Sequence, residues 1–440
     1  MSPFAIKALQ FLASMSLLII LHELGHFIPA RLFKIRVEKF FLFFDVKFAL
    51  FKKKIGETVY GIGWLPLGGY VKISGMIDES MDTEQMAQPM QPWEFRSKPA
   101  WQRLIVMLGG VTVNLVLGFL IYIMIMFVWG KNIFSNTDLP AGFKPTPSFV
   151  DLGFQNGDQI LKVDGKSLDN VMEVNQQLFL RSVASIEVQH TDGNREVIQI
   201  PEDIGHQMFR SGEMFPLMPL IPARIDSIVP LSNAAVGGLR PGDLVLEIND
   251  RTILDRTALI KTLEENNTST TRFKIQRGTQ IEYLNVTPKG DGTFGIFTLY
   301  PDLAYRNQSL SLSESITEGI EHGYWILHDY VAQFQYIFTS KGASQLGGFG
   351  TIGNLFPGQW NWRGFWYTTA LISIILAFMN VLPIPALDGG HVMFLLYEMI
   401  TGRSPHQKVL EYAQMFGFLL LLSLVIYANG NDLYRLITGG

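Results

Sequence analysis

The sequence predicts a polytopic α-helical membrane protein with four spanning helices and a β-rich segment inserted between the second and third spans. Of its 440 residues, 48% are hydrophobic and only 17% are charged, against roughly 25% charged in an ordinary soluble domain. The apolar residues are concentrated in four stretches close to the length of about 20 residues that crosses a bilayer. The long middle segment instead shows the alternation and turn residues of β-structure.

The four predicted spans cover about residues 4–33, 104–129, 365–387 and 413–428. A further apolar stretch at 391–400 is too short to span, and we interpret it as a half-helix or an interfacial segment. Basic residues are concentrated in the segment between the first two spans and recur between the last two. By the positive-inside rule these segments face the cytoplasm. Both chain ends and the middle segment are then expected on the opposite side.

The composition also limits the chemistry of any site. The chain has no cysteine, so a metal centre must be built from His, Asp or Glu side chains. The formal net charge is −4, which gives no basis for nucleic acid as a partner.

The middle segment contains a repeat. Residues 153–164 reappear as residues 238–249, and each copy has a Gly-Asp turn followed by an alternating strand. The second copy, with Gly-Leu-Arg-Pro-Gly-Asp, resembles the PDZ domains of bacterial proteases, and the first lacks the proline. PDZ domains bind an extended chain at a sheet edge, so peptides or proteins are candidate ligands. The alternative is a pair of small β-domains that bind no peptide.

A candidate metal site lies in the first span, in the sequence His22-Glu23-Leu24-Gly25-His26. The two imidazoles lie one helical turn apart and project from the same face. A divalent ion can bind there, with Glu23 placed as a general base for a nearby water. In an apolar helix an ionisable group costs at least ~2–3 kcal/mol unless it is paired or hydrated, which favours a functional site.

A third ligand is expected from elsewhere in the chain, because catalytic zinc usually has three protein ligands. The segment 380–391 is the obvious source, since Pro383 and Pro385 break the third span within the membrane. Asp388 follows in a glycine-rich turn. His391 competes with it, and spacing favours the aspartate only slightly.

The His-Glu-x-x-His sequence, combined with Asn-x-x-Pro-x-Pro-x-Leu-Asp-Gly-Gly at 380–390, resembles the site-2 protease family of intramembrane zinc metalloproteases. The inserted PDZ-like repeat resembles the regulator of sigma-E protease type within that family. The resemblance implies zinc held by His22, His26 and Asp388, and Glu23 as the base. It also implies that Asn380, Pro383 and Pro385 help to hold the substrate.

The stretch 59–75 resembles another element of that family, a membrane-reentrant β-hairpin whose edge pairs with an unwound substrate. The residues expected at this edge are Gly69, Tyr70, Val71 and Lys72. The alternative is an ordinary cytoplasmic hairpin. By the same resemblance the substrates are single-span membrane proteins of anti-sigma-factor type, or remnant signal peptides, after their outer domain has been trimmed. The expected location is the bacterial inner membrane, with both termini and the PDZ domains in the periplasm.

The predicted organisation has five segments. They are 1–129 with the first two spans and the hairpin, 130–220 and 221–295 as the PDZ-like domains, 296–362 as a connector, and 363–440 with the last two spans.

Two local features leave alternatives open. Apolar residues in the connector recur at helical spacing, which predicts an amphipathic helix whose apolar face packs on the β-domains or lies on the membrane. Their positions are 316, 320, 324, 327, 331, 334 and 338. Asn114 in the second span either faces the site or makes an interhelical hydrogen bond.

Two other functions also fit the pattern. The first is a metal or proton transporter in which His22, Glu23 and Asp388 form a relay. The second is a membrane-anchored PDZ scaffold with an inert core.

Overall fold

The computed structural model describes residues 1–66, 68–76, 88–298 and 305–438. Residue 67 of the predicted hairpin and residues 299–304 of the predicted connector lie outside the described residues. Contacts divide the chain into two compact units, Met1–Lys131 with Ser309–Gly440, and Asn132–Gln308.

The helices and strands of the described residues alternate in blocks along the chain. The helices are α1 Pro3–Leu32, α2 Ala100–Trp129, α3 Pro147–Val150, α4 Val174–Leu180, α5 Ile204–Ser211, α6 Asn233–Val236, α7 Arg256–Glu265, α8 Leu312–Ile337, α9 Ser340–Ser344, α10 Phe349–Asn354, α11 Trp362–Val381, α12 Asp388–Thr401 and α13 Gln407–Thr438. The strands are β1 Val37–Leu42, β2 Phe44–Ile55, β3 Thr58–Leu65, β4 Tyr70–Ile73, β5 Lys131–Ile133, β6 Phe143–Pro145, β7 Gln159–Val163, β8 Ser185–Gln189, β9 Arg195–Gln199, β10 Leu217–Pro219, β11 Ile225–Ile228, β12 Leu244–Ile248, β13 Arg251–Thr252, β14 Thr271–Arg277, β15 Gln280–Val286, β16 Ile296–Thr298 and β17 Arg306–Gln308.

Four of the described helices, α1, α2, α11 and α13, are long and apolar enough to cross a membrane, which confirms the four predicted spans. The third ends at Val381 rather than at residue 387, because Leu382 precedes a proline and adopts an extended conformation. The fourth is longer than predicted at both ends. The short apolar stretch forms α12, which begins at Asp388.

The stretch predicted as a single hairpin folds differently. The sheet order is β2-β3-β1-β4, so β3 and β4 do not pair with each other. Both pair with β1, β3 in parallel and β4 antiparallel. The connection brings Gly69 so close to α1 that a Cβ atom there would lie 2.6 Å from Ile19. The prediction of a hairpin was therefore wrong, and β4 forms an outer strand of a four-stranded sheet.

The predicted amphipathic helix is present as α8, which begins with a capping box formed by Ser311 and Glu314. It packs on α2 through its small residues, since a Cβ atom on Gly319 would lie 2.6 Å from the Cα atom of Ile123. Ser315 and Gly323 are buried on the same face. Most of the predicted apolar positions stay exposed instead. They are Ile316, Ile320, Tyr324, Val331 and Phe338.

The second unit contains two separate hydrophobic cores. One extends from Phe134 to Leu217 and the other from Ala223 to Phe294. The first core backs the three-stranded sheet β7-β8-β9, and the second backs the four-stranded sheet β13-β12-β14-β15. The repeated Gly-Asp turn precedes β7 in one and β12 in the other, and the PDZ assignment of both stays a prediction.

The domains that contain the two copies of the repeat share a charge arrangement around a buried aspartate. In the first, Asp158 accepts a hydrogen bond from the backbone N–H of Gln155 at 2.8 Å and binds His190 at 2.7 Å. The other ring nitrogen of His190 lies 3.1 Å from Glu196.

In the second copy, Asp243 accepts a hydrogen bond from the backbone N–H of Arg240 at 2.8 Å and pairs with Arg277 at 2.7 Å. Arg277 also binds Glu282 at 2.7 Å. Each copy therefore holds one cation between two carboxylates. The cation is a titratable histidine in the first copy and a permanently charged arginine in the second.

This difference predicts that only the first domain depends on the protonation of its central cation. The hydrogen bonds that the His190 ring donates to Asp158 and Glu196 raise the pKa of His190 above its usual value. The resulting stabilisation is complete below the unfolded pKa of about 6.5 and is lost as the pH rises through the higher folded value. Urea unfolding of residues 132–308 should show a first-domain transition that weakens as the pH rises above about 6.5.

His190→Gln is the matched control, because it keeps a polar side chain but removes the proton equilibrium. Below about pH 6.5 the variant should be less stable than the wild type. Its stability should no longer decrease as the pH rises through the range in which His190 loses its proton. An unchanged pH dependence in His190→Gln would contradict the assignment.

Candidate metal centre

Helices α1 and α2 touch through their backbones. A Cβ atom on Gly25 would collide with the carbonyl oxygen of Gly109, and one on Gly109 would collide with that of Gly25. A Cβ atom on Gly110 would lie 2.6 Å from Cε1 of His22. Small residues allow membrane helices to approach this closely. The consequence is that both histidines of α1 lie directly against α2.

Three donor atoms converge beside this contact. His22 Nε2 and His26 Nε2 are 3.2 Å apart, and they lie 3.3 and 3.4 Å from Asp388 Oδ2. A tetrahedral ion with bonds of 2.0–2.1 Å holds its ligand atoms roughly 3.3 Å apart. Asp388 Oδ2 is also buried and accepts no hydrogen bond. The donor set and its spacing therefore fit zinc.

Asp388 reaches the histidines because the turn after α11 is held by α13. The backbone N–H of Ala386, which has a φ of 75°, donates to Oε1 of Gln414 at 3.1 Å. A Cβ atom on Gly417 would collide with the carbonyl oxygen of Pro385. α12 begins immediately after this turn, with Asp388 as its first residue.

The three donor residues line a cavity of about 370 Å³. Glu23 lines this cavity, and its carboxylate faces the backbone of Val71. The four residues predicted at the substrate edge line it as well. These are Gly69, Tyr70, Val71 and Lys72. The cavity thus places a carboxylate and a strand next to the candidate metal ligands.

The side chains of β4, the strand that lines the cavity, are fixed by neighbouring polar groups. Lys39 donates to the hydroxyl of Tyr70 at 3.3 Å, and that hydroxyl donates to Asp45 at 2.8 Å. Lys72 pairs with Glu38 at 3.5 Å. Within the described residues, β4 pairs only with β1, so its second edge has no strand beside it.

Other predicted residues are placed differently. Asn380, Pro383 and Pro385 are not among the described residues that line the cavity, whereas Ala386 and Leu387 are. The reason is that α11 ends at Val381, so the turn presents its last residues to the cavity. His391 lines the cavity but lies outside the cluster of three donor residues.

Sequence reasoning missed Gln414, which both lines the cavity and holds the Ala386 turn. An amide inside an otherwise apolar span was the available signal. It also missed a second cavity of about 210 Å³ that shares Met76, His391 and Gln414 with the first. The ion pair of Arg103 and Glu398 lines this second cavity.

Comparison with known proteins gives the family. The sequence profile of peptidase family M50 matches residues 10–424. The chain belongs to peptidase family M50. The regulator of sigma E protease of Haemophilus influenzae is 27% identical over 453 residues, covering 97% of this chain and 98% of its own. Metalloprotease MmpA of Caulobacter vibrioides is 23% identical over 450 residues, covering 99% and 97%.

The resemblance inferred from the motifs is thereby confirmed. This M50 protein is a zinc-dependent metalloprotease and a multi-pass membrane protein. Its His and Asp donors are of the type that binds catalytic zinc.

The geometry predicts which third residue the metal requires. Asp388→Ala should purify with little zinc, because a two-histidine site lacks the third protein ligand of a catalytic centre. His391→Gln should keep about one zinc per chain, since His391 is outside the donor cluster. Metal analysis of the purified, folded variants measures both. Loss of zinc in His391→Gln with retention in Asp388→Ala would reverse the assignment.

Proposed function

We propose that this protein is an intramembrane zinc endopeptidase that cleaves the transmembrane segments of single-span membrane proteins. The observation that carries the proposal is the convergence of His22, His26 and Asp388, whose donor atoms lie 3.2–3.4 Å apart. Both histidines lie on α1, which is long and apolar enough to cross a membrane. A relay for transport does not require three donors at the spacing of a tetrahedral ion. An inert scaffold does not require them either.

In this proposal His22, His26 and Asp388 hold the zinc. When bound, zinc supplies Lewis-acid activation of a water and of the peptide carbonyl. Glu23 is the general base, which takes a proton from the attacking water and delivers it to the leaving amine nitrogen. Its position in the same cavity as the ligands supports that role.

The substrate must be extended before it can be cut, because the carbonyl groups of a membrane helix are occupied by internal hydrogen bonds. We propose that the unwound segment adds as a strand beside β4, along Gly69, Tyr70, Val71 and Lys72. This is the β-augmentation used by many peptide-binding proteins. Asn380 near the end of α11, and Pro383 and Pro385 in the turn that follows, are proposed to help to hold the substrate.

The finer assignments rest on the family resemblance. The proposed substrates are anti-sigma factors or remnant signal peptides, cleaved after their outer domain has been trimmed. The proposed location is the bacterial inner membrane, with both termini and the two β-domains in the periplasm. The β-domains, at 130–220 and 221–295, are proposed to be PDZ domains that bind peptides and exclude untrimmed substrates.

The role of Glu23 gives a direct test. Wild-type protein should cleave a model single-span substrate in detergent, and Glu23→Gln should be slower by about 10²–10⁴-fold, which is the usual contribution of a general base. Both proteins should retain about one zinc, because Glu23 is not in the donor cluster. Full activity in Glu23→Gln, or absence of metal from folded wild-type protein, would refute the proposal.

The exclusion of untrimmed substrates is tested separately. Deletion of residues 145–290 should allow cleavage of a substrate that still carries its outer domain. The deletion variant must retain zinc and must still cut the trimmed substrate, which controls for damage to the membrane unit. Selectivity that matches the wild type would rule out the size-exclusion role.

A further inference from the structure

The side chain of Asn114 lies beside the first candidate zinc ligand. Asn114 is 1% exposed, and its amide nitrogen lies 3.2 Å from Nδ1 of His22. Its Oδ1 atom is buried and has no hydrogen-bond partner. A buried amide with an orphaned oxygen, in contact with a ring nitrogen, calls for an explanation.

The second histidine shows how a ligand is oriented here. Nδ1 of His26 lies 2.8 Å from the carbonyl oxygen of Val106. A carbonyl can only accept, so Nδ1 of His26 carries the proton and its Nε2 lone pair is free for a metal. Val106, Gly110 and Asn114 occupy successive turns of α2. Asn114 therefore contacts Nδ1 of His22 in the same way as the carbonyl of Val106 contacts Nδ1 of His26.

The same requirement applies to His22. If Nε2 of His22 binds zinc, its Nδ1 carries the proton and must donate. An amide nitrogen cannot accept that hydrogen bond, whereas the amide oxygen can. The oxygen and nitrogen of an asparagine side chain are interchanged by a half-turn that leaves its shape unchanged. After that half-turn, the orphaned oxygen faces Nδ1.

The neighbours of Asn114 keep it in place. The hydroxyl of Ser373 on α11 donates to the backbone carbonyl of Asn114 at 2.7 Å. Gly110 leaves the space for the ring, because a Cβ atom there would lie 2.8 Å from Nδ1 of His22. The backbone of α2 at Asn114 is therefore tied to α11, and its side chain lies against His22 of α1.

We propose that Asn114 is a positioning residue whose side-chain carbonyl accepts a hydrogen bond from Nδ1–H of His22, so that Nε2 is directed at the zinc. This inference rests on the proposed metal ligands. It assigns a role to a residue that neither ligates the metal nor contacts the substrate. Hydrogen bonds of this kind typically change metal affinity by about 10–100-fold when they are removed.

The test compares three full-length variants by zinc affinity, measured through competition with a chelator. Asn114→Leu removes the acceptor at similar volume and should weaken zinc binding by about 10–100-fold. Asn114→Asp keeps an acceptor and lacks the amide donor, so its affinity should match the wild type or exceed it. Tyr122→Phe is the matched control, since it removes a buried, unpartnered hydroxyl two turns further along the same helix and should bind zinc as the wild type does.

The outcomes separate the alternatives. Wild-type affinity in Asn114→Leu would overturn the proposal. Equal weakening in Asn114→Asp and Asn114→Leu would also overturn it, because the amide would then act as a donor or as packing only. Nitrogen NMR of the zinc-loaded protein gives a second readout, with Nδ1 of His22 expected to carry a proton in both the wild type and Asn114→Asp. Absence of zinc from wild-type protein would instead refute the ligand assignment on which the proposal rests.

Discussion

The contact between the backbones of Gly25 and Gly109 fixes the positions of most groups in the metal centre. Because no side chain separates α1 from α2 at this point, the ring nitrogens of His22 and His26 reach polar groups on α2. The same α1 surface accepts β4, through Gly69 against Ile19. Glycine is required at each of these positions because neighbouring backbone or side-chain atoms occupy the place of a Cβ atom.

The second half of the site depends on a different kind of contact. Asp388 directly follows a turn that two prolines have excluded from the helix, so the backbone groups of the turn need partners within the membrane unit. Gln414 supplies one of those partners, and Gly417 allows α13 to lie against Pro385. α13 is otherwise mostly exposed in the described structure. Its contact with the turn is therefore the feature that links this span to the chemistry.

The membrane spans and the candidate ligands could be predicted from the sequence because both have local signatures. Apolar runs of sufficient length identify the spans, and the spacing of His22 and His26 identifies a metal-binding face. The sheet order could not be predicted, since the parallel pairing of β1 with β3 depends on where the intervening β2 lies. The sequence could not decide whether Asp388 or His391 is the third candidate ligand, because both follow the same turn. The fold decides it, since only Asp388 lies in the donor cluster.

The sequence left two features of the membrane unit open, for a common physical reason. The sequence left open whether the apolar face of α8 packs on the β-domains or lies on the membrane, and the structure shows that the helix packs on α2 through Ser315, Gly319 and Gly323. In a soluble protein the apolar residues of a helix pack in the core, whereas membrane helices make their closest contacts through small residues. Asn114 was likewise ambiguous, since a polar residue in a span serves either packing or chemistry. In the structure Asn114 lies at the site and also makes an interhelical contact, because its amide nitrogen is 3.2 Å from Nδ1 of His22 on α1.

The chain order of the ligands has a consequence for synthesis of the protein. The histidines leave the ribosome roughly 360 residues before Asp388, which at about 5–20 residues per second is an interval of roughly 20–70 s. During that time the first two spans can associate through their glycines, but the donor set is incomplete. A nascent chain therefore has no complete catalytic centre with which to attack neighbouring membrane proteins. With the proposed ligand set, proteolytic capacity arises only when Asp388, in about the last eighth of the polypeptide, has been inserted.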